Sequence, residues 1–273
     1  MISLLFFLHS AGGEGKYEIY LKTSLAEDSN NGSIILSTFN PIGQIKTQVA
    51  NVNLSQNGLT KISYTFKFPD LYRLDMPGNA PLYLAIDKGQ KRIEIYAEKG
   101  NPITIKGSLD SMKLLAYDKF RKESNQRLIR PTYEAMSKAS KQQNQEGMVA
   151  AVEAYVKKNK LHRKELIDFT EREIGTSTAL YGTSLRWTGD DEVARLDILV
   201  TAFSKKHPDL PMTVAMKEKV ARFKKVAIGA KATDLQGQTP GGEQITLYQS
   251  LGKYTLIDFW ASWCRPCILQ IPD

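Results

Sequence analysis

Tyr254-Thr255-Leu256-Ile257-Asp258-Phe259-Trp260-Ala261-Ser262-Trp263-Cys264-Arg265-Pro266-Cys267 is the most informative stretch of the 273-residue chain. Its first seven residues form an apolar run broken only by Asp258. Such a run reads as a strand buried on both faces of a parallel sheet. Ala261-Ser262-Trp263 then leads into Cys264-Arg265-Pro266-Cys267, which should open a helix. Cys264 and Cys267 are the only cysteines in the chain.

A strand followed by Cys-x-x-Cys at a helix start has a chemical reading. The helix N-terminus presents unpaired N–H groups and the positive end of the dipole, which favour a thiolate on Cys264. That thiolate attacks a substrate disulfide, and Cys267, one turn on, resolves the mixed disulfide. Two intervening residues let the sulfurs meet without large strain. Arg265 adds positive charge beside the thiolate, and Pro266 fixes φ where a missing N–H costs little. Asp258 has two readings. As a buried carboxylate it would have a raised pKa and take the proton from Cys267; otherwise it is a carboxylate at an exposed strand end. Trp260 and Trp263 either shield the sulfurs and face partners or belong to the core. No cofactor is called for besides the Cys264–Cys267 disulfide itself.

Upstream, residues 229–242 are rich in glycine, Ile245-Thr246-Leu247 reads as a short strand, and Ser250-Leu251-Gly252-Lys253 as a turn. Residues 109–227 read as helical. Leu114, Leu115, Phe120, Leu128 and Ile129 mark one apolar stripe. Met148, Val149, Val152, Tyr155 and Val156 mark a second, and Leu161, Leu166, Ile167, Phe169 and Ile174 a third that ends near Gly175. Val193, Leu196, Leu199, Val200 and Phe203 mark a fourth, stopped by His207-Pro208 and capped by Asp190 or Asp191. These stripes are expected to be core. Residues 14–108 read as β: Tyr17–Leu21, Ser33–Phe39, Ile62–Phe68, Leu82–Ile86, Arg92–Tyr96 and Ile103–Ile105, separated by turn dipeptides such as Asn57-Gly58 and Pro77-Gly78. Six such segments imply a sandwich or barrel.

Residues 1–13 carry an apolar stretch, Ile2 to Leu8, then Ser10 to Gly13. A shortened signal peptide and a buried first strand are both open readings; a basic n-region is missing. Any membrane association would run through this segment alone, because no apolar run reaches the ~18 residues of a spanning helix. Lys and Arg number 37 against 29 Asp and Glu. The segment 111–228 holds 23 of the bases and 15 of the acids, hence the whole excess. A nucleic-acid or anionic-membrane surface is one reading of it; the interleaving of signs favours a solvated helical surface.

The stretch 258–267 resembles the active-site segment of thioredoxin-like thiol–disulfide oxidoreductases, closest to the envelope type related to the TlpA and ResA proteins. The lead-in, Ile228-Gly229-Ala230-Lys231-Ala232 with Gly252-Lys253-Tyr254, fits that type. Residues 82–117, with Asp87-Lys88-Gly89 and Lys106-Gly107-Ser108, are similar to the β-rich domain called DUF4369 that precedes some bacterial members. The resemblance implies an α+β chain: an antiparallel β-sandwich or barrel-like domain (14–108), a helical segment (109–227) and the first part of an α/β thioredoxin-like fold (228–273). It implies a thiol–disulfide oxidoreductase of the cell envelope, in the periplasm, with Cys264, Cys267 and Asp258 as catalytic groups. Its partners would be protein dithiols or disulfides and an upstream redox protein, not nucleic acid. Arg265 stands where the family usually has glycine, so the redox potential should differ. The family's cis-proline loop, which faces the cysteines, would lie beyond Asp273, so the chain is read as C-terminally truncated and its activity as impaired.

The alternative is a non-enzymatic envelope binding module with a vestigial redox tail. A zinc site would need two further ligands, and His9, His162 and His207 lie far from the cysteines in sequence. The Pro-x-x-x-Thr-x-x-Cys context of a peroxidatic cysteine is absent. So are a Walker loop, G-x-G-x-x-G and a Ser-His-Asp signature.

Overall fold

A computed structural model describes residues 15–23, 32–41, 45–55, 58–66, 69–87, 91–98, 100–184 and 192–263. The chain is mixed α+β and divides into two compact units, Met1–Ile228 and Gly229–Asp273. Residues 1–14, with both readings of the N-terminal stretch, lie outside the described residues, as do Asp190 and Asp191.

Among the described residues the first unit begins with eight strands: β1 (Gly15–Thr23), β2 (Ser33–Asn40), β3 (Ile45–Asn53), β4 (Leu59–Phe66), β5 (Asp70–Asp75), β6 (Leu82–Ile86), β7 (Arg92–Ala97) and β8 (Thr104–Lys106). They form two four-stranded sheets, ordered β4-β1-β7-β8 and β3-β2-β5-β6. All pairings in them are antiparallel except β1 with β7. Period-two alternation sends Tyr17, Ile19 and Leu21 of β1 and Ile93 and Ile95 of β7 inward. There they meet Ile34 and Leu36 of β2, Tyr72 and Leu74 of β5 and Leu82, Leu84 and Ile86 of β6 in one core. The outer face of the first sheet is polar: Lys61 pairs with Glu18, and Arg92 sits over the Tyr20 ring and pairs with Glu94.

The second sheet is apolar on both faces. Phe39, Leu71 and Ala85 point away from the sandwich into a second core made by helices. This explains why β5 is hard to see in sequence: Leu71 faces the helices while Tyr72 and Leu74 face the sheet, so alternation fails. β3 is also missing from the sequence reading, because it is a polar, mostly exposed edge strand. It carries a bulge at Val49, since Leu36 pairs with Ala50 and Ser37 with Gln48.

The helices are α1 (Leu109–Leu128), α2 (Arg130–Lys141), α3 (Gln145–Phe169), α4 (Ala179–Ser184), α5 (Val193–Lys206) and α6 (Pro211–Lys225). Gly107, at φ +79°, turns the chain from β8 into α1; a Cβ there would collide with the Arg92 carbonyl. Ser108 then caps α1, its Oγ accepting from the Ser111 N–H at 3.1 Å. Ser111 donates to the Ala85 carbonyl at 2.9 Å, tying the first turn to β6. Asp110 is buried and accepts from Ser177 and Thr178, at 2.6 Å each, which anchors the chain entering α4. Gly182 of α4 lies against Leu114, whose side-chain methyls a Cβ there would displace. A π turn at Thr170–Ile174, closed by Gly175 at φ +56°, ends α3.

The first, third and fourth apolar stripes supply core residues, among them Leu114, Leu166, Ile167, Leu196, Val200 and Phe203. The second is corrected. Val149 and Val156 are 55% and 63% exposed, and the face turned inward carries Ala151 and Tyr155, the latter against Tyr133. α3 packs on both α1 and α2, and Val149, Val152 and Val156 lie outside those contacts, facing solvent. α5 starts without a side-chain cap, with Glu192 at its N-cap. The basic excess of the helices is interleaved with acids, as in Arg127–Glu165, Lys164–Asp168, Lys224–Asp197 and Arg195 with Asp168, Glu171 and Glu192. Among the described residues no helix is long and apolar enough to cross a membrane.

In the second unit, β9 (Gln236–Gln238) and β10 (Gln244–Thr246) form an antiparallel hairpin, followed by a 3-10 turn at Tyr248–Ser250. The run 254–260 is not a strand. The expected buried parallel strand is therefore corrected. Leu256 is 95% and Phe259 82% exposed, and the unit's described residues supply no parallel neighbour to pair with their backbone.

Candidate functional site

The residues singled out by sequence sit at the end of the second unit. Local hydrogen bonds organise what precedes them. Leu247 N–H donates to the Leu235 carbonyl at 2.8 Å, and Tyr248 N–H to Asp234 Oδ1 at 2.9 Å. Thr246 and Gln249 bond reciprocally, and Gly252 N–H donates to Thr255 Oγ1 at 3.0 Å. The chain then bends at Lys253-Tyr254 and runs without regular structure to a turn at Ser262-Trp263.

Asp258 is exposed. Of its two readings, the one with a buried carboxylate is not what the described residues show. Trp260 and Trp263 are 58% and 86% exposed, so neither is a core residue. Cys264, Arg265, Pro266 and Cys267, and the helix expected to start there, lie outside the described residues. The chemistry rests on their order in the chain, with two exposed tryptophans and one exposed carboxylate just before them.

Two of the three histidines considered for zinc are engaged elsewhere. His207 Nε2 lies 3.1 Å from the Thr176 carbonyl, and its ring packs on Phe203. His162 is buried on α3, its Nδ1 2.8 Å from Ser124 Oγ. His9 lies outside the described residues.

Sequence reading missed the cluster around His162. Ser124 donates to Glu165 Oε2 at 2.6 Å, and Arg127 grips both oxygens of Glu165. With the Ser124 proton spent on Glu165, the imidazole donates from Nδ1 to Ser124 Oγ. Burial pushes the His162 pKa below its ordinary value, with Arg121 and Arg127 acting in the same sense. Burial opposes ionisation of Glu165, yet the hydrogen bonds from Arg127 and Ser124 outweigh it and lower its pKa. The signal was a pair of i, i+3 spacings, 124/127 and 162/165, on two helices; the facing of those helices was not legible. The serine bridges the histidine and the glutamate rather than being activated by the histidine, so the group is a buried tie between α1 and α3. Asp70, also missed, is a largely buried carboxyl whose pKa burial pushes up to about 6, although Leu71 N–H donates to it at 2.8 Å.

No family model matches the chain, and no solved structure matches it. A curated relative is Thioredoxin-like protein YneN of Bacillus subtilis (strain 168), 41% identical over 44 residues. The match covers 16% of this chain and 26% of that protein, so it spans about a quarter of the relative's length. Over that short stretch the chain is similar to a thioredoxin-like protein.

Proposed function

We propose that this chain carries the redox motif of a thioredoxin-like thiol–disulfide oxidoreductase, and that the 44 matched residues fall in the second unit. One observation carries the proposal: 41% identity to a thioredoxin-like protein, in a chain whose two cysteines stand in Trp263-Cys264-Arg265-Pro266-Cys267. Cys264, as thiolate, attacks one sulfur of a protein disulfide and expels the other as a thiolate, which takes a proton. Cys267, deprotonated, attacks Cys264 and releases the second substrate thiol. The substrate gains two electrons and two protons, and the Cys264–Cys267 pair becomes a disulfide. A dithiol redox protein upstream reduces it again. Asp258 serves as the proton acceptor for Cys267 when the cysteines react, and Trp260 and Trp263 supply the apolar surface for the partner. The finer assignments belong to the same proposal: a TlpA- or ResA-like type, a DUF4369-like domain at 14–108, and a periplasmic setting.

Insulin reduction with dithiothreitol as electron source tests it. The chain should accelerate precipitation, Cys264→Ser should abolish the acceleration, and Cys267→Ser should accumulate a mixed disulfide at Cys264, visible by mass. Acceleration that survives Cys264→Ser would overturn the reading.

A further inference from the structure

Beside β8 lies a cleft of about 660 Å³ that the redox reading does not use. One wall is the segment Pro102 to Ile105; the other is one face of α1, with Met112, Leu115 and Ala116. Among the described residues β8 ends its sheet and pairs with β7 alone, so its second edge carries backbone groups with no described strand beside them. Thr104 and Lys106 are exposed while Ile105 anchors the strand in the sandwich core. Met112 is 45% exposed at the floor of the cleft, and methionine adapts its shape to varied apolar partners.

The rim is biased in charge. Lys119 and Lys122 project from α1 and make no ion pair among the described residues. Of the two acids on the rim, Asp118 is held by Arg121 at 3.5 Å, which leaves Glu123 against Lys119 and Lys122. A free strand edge, an apolar floor and an excess of positive charge together define what fits. We propose that the cleft between β8 and α1 docks an extended segment of a partner polypeptide, alternating apolar and acidic residues, which adds as a strand beside β8. Main-chain hydrogen bonds to the edge would hold the segment, apolar side chains would enter against Met112 and Leu115, and carboxylates would meet Lys119 and Lys122. A second copy of this chain is a poor occupant. Edge-to-edge pairing of two β8 strands would bring Lys119 and Lys122 of one copy against the same lysines of the other.

The test uses the full chain with Cys264→Ser, so that its outcome is independent of thiol chemistry. The probe is a fluorescein-labelled octapeptide alternating valine or isoleucine with aspartate or glutamate; controls carry lysine in place of the acids, or N-methyl groups on alternate amides. Fluorescence anisotropy should show saturable binding of the acidic peptide. The pair Lys119→Glu and Lys122→Glu, exposed positions whose variant should melt like the parent, should weaken that binding by about tenfold or more and favour the lysine peptide. N-methylation should abolish binding, and the Thr104–Lys106 amides should exchange more slowly in the complex. No saturable binding, equal binding of acidic and basic peptides, indifference to the charge reversal, or protection elsewhere than β8 would each overturn the proposal.

Discussion

Leu36, Leu74 and Leu84 in the sandwich are fully buried, whereas Leu256 and Phe259 in the second unit lie almost wholly in solvent. Both regions are rich in strand-forming apolar residues, and the more continuous run is the exposed one. The difference is in the neighbours. Leu84 lies on a strand paired with β5, between a facing sheet and α1. The run 254–260 has no strand partner among the described residues of its unit. Apolar side chains supply the drive to bury, but a strand also needs partners for its N–H and C=O groups, and burying it unpaired would cost more than the side chains return.

Substitution sharpens this contrast most where burial is complete. Leu84→Ala should cost about 2–5 kcal/mol in urea unfolding, because the sandwich cannot close over the lost volume. Asp110→Ala comes next, at about 1–3 kcal/mol, since the Ser177 and Thr178 hydroxyls lose their acceptor in a buried place. Asp70→Asn should act in the opposite direction. Its folded pKa of about 6 lies above the ordinary 3.8, so the carboxyl favours folding when protonated, and that contribution is lost as pH rises through about 6. Asparagine keeps the acceptor for Leu71 N–H and cannot ionise. The variant should be more stable by about 1–3 kcal/mol at pH 7, with the gain gone below pH 3.8.

Acid should weaken the helical core through His162. Its folded pKa is depressed, so the unfolded chain takes up the proton first, and stability falls as pH drops below 6.5. His162→Gln should flatten that part of the stability–pH curve. Leu256→Ala should do least, a change within about 0.5 kcal/mol, because its side chain is already in water. A loss on the scale of Leu84→Ala there would break the contrast, and would mean that the run is covered in solution.

Much of the first unit was legible in sequence. Leu82–Ile86 was read at its true bounds because it alternates between two apolar environments of unequal depth and is flanked by turn residues. Ser33–Phe39 and Arg92–Tyr96 were each read to within a residue. β3 and β5 were not, one being exposed on its edge and the other buried on both faces, which are the two ways to erase a period of two. The exposed Val149 and Val156 carried a helical period without saying which helices would pack against it. At the segment leading to Cys264 and Cys267, residue order was legible and environment was not: the exposure of Asp258, Trp260 and Trp263 depends on what surrounds them, which no spacing of letters records.

The parallel pairing of β1 with β7 also has a consequence in time. β1 takes β4 on one side, but its other neighbour is Arg92–Ala97, more than seventy residues downstream. At a synthesis rate of about 5–20 residues per second, β1 waits roughly 4 to 15 s on the ribosome before that partner exists. During that interval its inner face of Tyr17, Ile19 and Leu21 is a sticky, half-matched surface. Whatever keeps the nascent chain from pairing wrongly must act in those seconds, well before the cysteines have been translated.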